Sequence, residues 1–278
     1  MEGSQTIDTP VGRLAVRVTG DGAPAVLWHS LFVDERSWDR VVPDLQQDRR
    51  LVLMTGPGHG TSGDPGRRYT NQECAAAAAT VLEAIGVTDP VDWVGNAWGG
   101  HVGLVLASRR PELIRTLIAA GTPLHPWARA VRLQTQLLLL PLYRLLGPVG
   151  FISDAVVEGN LSTTTRDRDP AATRLVRDAF ARADRARMAN AIRSVGLGRR
   201  DLTPLLGSIQ APTLFLTGSD HPDWTAEQVE AAAARVPHGS SGVVADAAYL
   251  LPLEAPTAFS GWVREFWAQR VPSRGRDG

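Results

Sequence analysis

Seven short apolar runs, separated by stretches of helical periodicity, set the frame for this chain. They are Leu14–Val18, Ala25–Trp28, Leu51–Met54, Val91–Val94, Thr116–Ala120, Thr213–Leu216 and Gly242–Val244. Most are rich in Val, Ile and Leu without polar alternation, as suits strands buried on both faces. Between them, Gln72–Ile85 carries Ala, Val, Leu and Ile at helical spacing. Thr225–Val236 opens with Thr225 and has Gln228 three positions later, a capping-box pattern. Strands alternating with helices predict an α/β fold: a mostly parallel sheet of about eight strands with helices on both faces. The alternation lapses between Pro123 and Gln210, where Arg174–Ala183 and Arg187–Val195 read as amphipathic helices. Residues 1–122 and 211–270 are therefore expected to form one core, with 123–210 an inserted helical lid. The polar, Gly/Arg-rich stretch 271–278 reads as a frayed tail.

Composition narrows the partners. The 29 basic and 29 acidic residues cancel, which argues against a nucleic-acid binder. All the basic residues are arginine, so Schiff-base and phosphate-loop lysine chemistry is closed. The lone Cys74 cannot form an internal disulfide. No two histidines stand at metal-ligand spacing, so neither a metal nor a cofactor is expected. Met1–Ser4 shows no basic start or apolar run, and Leu137–Ile152 is too short and interrupted to span a bilayer. The expectation is a cytoplasmic monomer or homodimer with no membrane partner.

The chemistry concentrates in Val91-Asp92-Trp93-Val94-Gly95-Asn96-Ala97-Trp98-Gly99-Gly100-His101. An apolar strand runs into Gly-x-Ala-x-Gly-Gly and then a helix. Glycines flanking one central residue permit a tight strand-to-helix turn that exposes that residue in a strained conformation. The pattern is a nucleophile elbow with Ala97 at its centre. With four further motifs in order, the chain resembles the α/β-hydrolase superfamily over nearly its whole length, in particular its lid-containing esterase and lactonase members. Trp28-His29-Ser30-Leu31 is similar to the family's His-Gly turn, with Ser30 in the Gly place. Gly56-Pro57-Gly58-His59-Gly60-Thr61-Ser62 is similar to its Pro-Gly-His-Gly-x-Ser loop, in itself a structural loop. Pro212–Gly218 resembles the strand before the acidic loop, and Leu253-Glu254-Ala255-Pro256 the segment after the catalytic histidine.

The departures from that pattern fall on the catalytic positions. Ala97 stands in place of the nucleophilic serine, and Tyr249 in place of the histidine. His221 holds the usual acid position of Gly-x-x-Asp, with Asp220 one residue early and Asp223 two late. An isolated Ser→Ala exchange would suggest an inactivated hydrolase; the accompanying Tyr249 points to a natural change. The resemblance implies that the backbone N–H groups of Leu31 and Trp98 still form an oxyanion hole. Tyr249 and His221 are candidate acid and base, with Asp220 or Asp223 to orient the imidazole. His29, Ser30, Asn96, Trp127 and Trp224 are expected to line a pocket, with Trp98 and the apolar face Leu137–Leu146 beside them. His101 is expected to pack beneath it.

Three functions remain open on this reading. One is a cofactor-free lyase, isomerase or cyclase acting on a hydrophobic small molecule. Another is a non-catalytic small-molecule binding or scaffold protein. The third is a hydrolase using Ser30 or an activated water.

Overall fold

The computed structural model describes residues 3–270; the expected frayed tail lies outside the described residues. Eight strands form one sheet: β1 (Gly3–Ile7), β2 (Leu14–Thr19), β3 (Ala23–Trp28), β4 (Arg49–Met54), β5 (Val91–Asn96), β6 (Ile114–Ala120), β7 (Thr213–Gly218) and β8 (Gly239–Val244). Their order is β1-β2-β4-β3-β5-β6-β7-β8. β2 runs antiparallel to β1 and β4, and the remaining pairs are parallel. The expected mostly parallel α/β sheet is present. β1 was not anticipated, for a physical reason: it is an exposed edge strand of Gly, Ser, Gln and Thr and carries no buried run.

The longer helices are α1 (Asn71–Ala84), α2 (Trp98–Arg109), α3 (Arg129–Gln134), α4 (Leu140–Leu146), α5 (Gly150–Glu158), α6 (Thr163–Arg168), α7 (Pro170–Arg182), α8 (Arg185–Ala191), α9 (Ala226–Ala233) and α10 (Pro256–Arg270). α1 and α9 both begin at complete capping boxes, Thr70 with Glu73 and Thr225 with Gln228. Each pairing satisfies two backbone donors that a helix start would otherwise leave unpaired. One face of the sheet packs Val26, Trp28, Trp93 and Phe215 against α1 and α2. The other packs Leu27, Leu53, Val94 and Ile118 against Phe259, Val263 and Trp267 of α10.

From β6 to β7 the described chain is helical, with no strand. Its inner face meets the core at two places. Val157, Leu161, Val176 and Ala179 pack with Val33, Leu250 and Leu253. Leu140, Tyr143, Phe180 and Met188 pack beside Phe32. Of the apolar stretch expected to face inward, Leu139, Leu140 and Tyr143 do so. Leu137 and Leu145 are 71% and 75% exposed, because helical spacing turns them to the opposite side.

Charges are kept at the two ends of the strands. At the amino end of the parallel strands, buried Asp92 accepts from Arg49 (2.8 Å), Arg115 (2.6 and 2.8 Å) and Thr116 (2.7 Å). Removing one partner of such a cluster leaves an uncompensated buried charge. The carboxyl end is left for the chemistry.

Asp169 fastens the helical segment to the core. It caps α7 through the Ala172 N–H (3.0 Å) and pairs with Arg40, which also donates to the Leu253 carbonyl (2.9 Å). The Arg40 hydrogen bonds pull the Asp169 carboxyl below its ordinary value, to about 2, against a smaller opposing effect of burial. A carboxyl lowered on folding stabilises above its unfolded pKa and loses that contribution as pH falls through the folded one. The Asp169→Asn variant should therefore be less stable than the parent by about 1–2 kcal/mol at neutral pH, after solvent screening. Urea unfolding from pH 7 down to pH 2 should show the gap closing below about pH 4.

Candidate functional site

The site is built on the turn between β5 and α2. Asn96 ends the strand, Trp98 begins the helix, and Ala97 between them has φ 47° and ψ −101°. A non-glycine residue in that region is strained, and such strain survives only where the surroundings enforce it. The enforcement comes from the flanking glycines. A Cβ on Gly95 would lie 2.2 Å from the Gly99 backbone, and one on Gly99 would lie 1.9 Å from the Trp28 carbonyl oxygen. The Trp93 indole donates to the Gly99 carbonyl (3.0 Å) and closes the approach. Ala97 thus sits where the sequence pattern put it, offering a methyl group.

Two backbone donors flank it. Trp98 is the first residue of α2, so its N–H has no acceptor within the helix. Leu31 lies in the turn after β3, and its N–H meets no acceptor among the described residues. His29 braces that turn. The Gly56 N–H donates to its Nε2 (2.9 Å), which puts the ring proton on Nδ1, donating to the Ser30 carbonyl (2.7 Å). Burial holds His29 below its ordinary pKa and His59, its ring 5.0 Å away at 54°, at about 3, so both rings are neutral.

A cavity of about 970 Å³ opens above Ala97, walled by strand-end loops on one side and the helical segment on the other. Ser30, Leu31, Ala97, Trp98, Trp127, Asp220 and Tyr249 line it, as expected; so does one edge of His101. Burial and the nearby Arg199 charge keep the His101 imidazole at about 3, against the pull of the Pro123 carbonyl. Three expected lining residues stand behind the wall instead. His29 is sealed by its two hydrogen bonds. Trp224 is 1% exposed and packs in the core beneath α9. Asn96 is buried because its side-chain amide spans two backbones, donating to the carbonyls of Ala120 (3.1 Å) and Tyr249 (2.7 Å). It holds Tyr249 over the elbow without touching the cavity.

The Tyr249 hydroxyl donates to Asp223 Oδ2 at 2.5 Å. Burial, then the Asp223 hydrogen bond and charge, raise the phenol far above the ordinary tyrosine range, so it stays protonated. The expected partnership of His221 with an aspartate takes another form. The Asp223 backbone N–H donates to His221 Nδ1 (3.2 Å), which leaves the proton on a buried Nε2. The Gly121 carbonyl favours that proton but does not reach good hydrogen-bond geometry. The ring lies 3.8 Å from that of Tyr249, centroid to centroid, and does not line the cavity. Burial lowers it to about 4. His221 packs on the Tyr249 ring from behind the cavity wall. Asp220 sits exposed at the rim, its carboxylate held by Ser219 Oγ (3.0 Å) rather than by a histidine.

Two further residues shape the site beyond those singled out. Glu254 accepts from the backbone N–H groups of Ala248 and Leu250 (both 3.0 Å) through Oε1. Through Oε2 it accepts from the Ser162 N–H (2.7 Å) and Thr165 Oγ1 (3.0 Å). It thereby ties the Tyr249 loop to the start of α6. The Leu-Glu-Ala-Pro motif marked its place but not its work. Arg199 lines the cavity from the end of the helical segment, and no motif pointed to it. No cluster of three or more His, Cys, Asp or Glu side chains suited to a metal occurs among the described residues. None of the described helices is long and apolar enough to cross a membrane.

A family model described as the alpha/beta hydrolase fold matches residues 24–256. The chain belongs to the α/β-hydrolase family. Among this α/β-hydrolase's curated relatives is the 2-hydroxy-6-oxo-2,4-heptadienoate hydrolase of Pseudomonas putida. It is 32% identical over 115 residues, 41% of this chain and 39% of that protein. The matched part thus spans about two fifths of that relative. Among solved structures, a thermophilic esterase from Thermogutta terrifontis superposes with a TM-score of 0.87 at 25% identity, covering 97% of this chain and 100% of the esterase. The enol-lactonase from Burkholderia xenovorans gives 0.85 at 22% identity, covering 95% and 100%, a likeness of fold.

The Glu254 knot is testable. Glu254→Gln presents an amide NH₂ to donors that need an acceptor, and should lower stability by about 1–3 kcal/mol in urea unfolding. A variant as stable as the parent would show that the four hydrogen bonds do not hold the Tyr249 loop.

Proposed function

We propose that this α/β-hydrolase-family chain is a cofactor-free enzyme that moves a proton on a hydrophobic small molecule, as a lyase, isomerase or cyclase does, and forms no acyl-enzyme. The observation that carries the reading is the Tyr249–Asp223 pair at the cavity wall, beside Ala97 and the backbone donors of Leu31 and Trp98. A substrate carbonyl oxygen set between those N–H groups is polarised where negative charge develops. A proton leaving the adjacent carbon passes to Tyr249 Oη as the phenolic proton passes to Asp223. The electron pair moves onto the carbonyl oxygen as an enolate. Return of the proton to another atom, or loss of a leaving group, completes an isomerisation or elimination; attack of the enolate carbon within the same molecule closes a ring. A phenol held protonated by burial fits a relay in which it gives and takes a proton together. The inserted lid at 123–210 supplies the apolar wall and keeps water from the enolate.

A second reading, hydrolysis by Ser30 or by a water, is favoured by the family, whose named relatives here are hydrolases. Against it, no hydrogen bond joins Ser30 Oγ to a histidine among the described residues, and burial keeps the cavity-lining His101 at about 3, a weak base.

Tyr249→Phe should cut turnover of the true substrate by about 100-fold or more while the protein stays folded, losing at most about 1–3 kcal/mol of stability in urea unfolding. Ala97→Ser should gain little p-nitrophenyl ester hydrolysis, since no base stands at 249. Robust ester turnover in the parent, lost in Ser30→Ala, would establish the hydrolase reading instead.

A further inference from the structure

Arg199 is a charge without a partner. It lines the cavity, its Nε is buried and makes no hydrogen bond, and no carboxylate among the described residues lies within ion-pair distance. The other arginine at the cavity, Arg166, also has an unbonded Nε, but its terminal nitrogens meet Glu158 (3.8 Å) and Thr163 Oγ1 (3.0 Å). The nearby Asp223 carboxylate is already taken by the Tyr249 hydroxyl. Burial lowers Arg199 to about 10, with Tyr249 and Asp223 opposing the drop, so it remains charged at neutral pH. A half-buried guanidinium left unpaired is costly, and chains keep one where something else completes it. Gly198 and Gly196 fix its approach. A Cβ on Gly198 would lie 2.2 Å from the Ser194 carbonyl oxygen, and one on Gly196 would lie 2.7 Å from the Trp127 ring.

We infer that Arg199 is an anion-recognition residue and that the ligand is an apolar molecule bearing one carboxylate. This rests on reading the cavity as a substrate site. The guanidinium fork matches a carboxylate bidentately. A phosphate dianion would leave a second charge against an apolar wall. The Arg199 charge acts on His101, His221 and Tyr249, which surround the elbow. A carboxylate held there leaves the rest of the ligand running toward Ala97 and the Leu31 and Trp98 N–H groups. Arg199 would then set both the class of substrate and its direction in the cavity.

The probes are 4-phenylbutyrate and its neutral amide, titrated against the full chain and followed by fluorescence of Trp98 and Trp127, which line the cavity. The carboxylate should bind at least about tenfold more tightly than the amide. Arg199→Met should abolish the preference and raise the melting temperature of the unliganded protein. Arg199→Lys should keep the fold and part of the preference. Equal binding of the two probes, or binding of neither, overturns the inference. So does a preference that survives in Arg199→Met. Binding needs no turnover, so a missing preference counts against Arg199 alone, and an inactive Tyr249 relay counts against the reaction alone.

Discussion

The close approach of α2 to the ends of β3 and β5 is the contact on which the site depends. Gly95 and Gly99 let helix and strand backbones touch at distances no Cβ would permit. The Trp93 indole then locks the Gly99 carbonyl. That contact forces Ala97 to positive φ, aims the first N–H of α2 into the cavity, and places Asn96 where its amide can hold the Tyr249 backbone. A strained turn needs no particular side chain at its centre to keep its shape. The turn therefore keeps its shape around the Ala97 methyl group.

Burial then decides the protonation of nearly everything around the turn. His29, His59, His101 and His221 are all pushed toward the neutral form, and Tyr249 is kept protonated. None of these rings carries charge at neutral pH. The charges left at the cavity are carboxylates and arginines, chiefly Asp223 bonded to the tyrosine and Arg199, whose charge acts on both. A pocket of this kind offers hydrogen bonds and one cation without an ion-pair partner among the described residues.

The buried strands, their helices and the elbow were legible in the sequence because they rest on local patterns: buried strand runs, the Thr225 capping box, and glycines at a turn. Ser30, Leu31, Trp98 and Tyr249 were placed at the cavity by ordered motifs, and Trp127 by its position at the start of the helical segment. What was missed depends on direction rather than spacing. Nothing in Gly218-Ser219-Asp220-His221-Pro222-Asp223 says which carboxylate reaches Tyr249 or that the imidazole turns behind it. That follows from the Asp223 N–H capturing His221 Nδ1. Asn96 and His29 read as pocket residues from their neighbours. Their polar atoms are instead consumed by backbone groups across the fold, and such long-range pairings leave no mark in a linear pattern. Arg199 is one arginine among 29, and only the fold shows that it is half-buried without a partner.

The proposed reaction forms no acyl-enzyme, and intact-mass spectrometry after incubation with a fluorophosphonate tests that most directly. This chain should remain at its unmodified mass under conditions that label an active serine hydrolase to completion. A stoichiometric adduct, mapped to Ser30 or to any other serine lining the cavity, would show a working nucleophile and contradict the account.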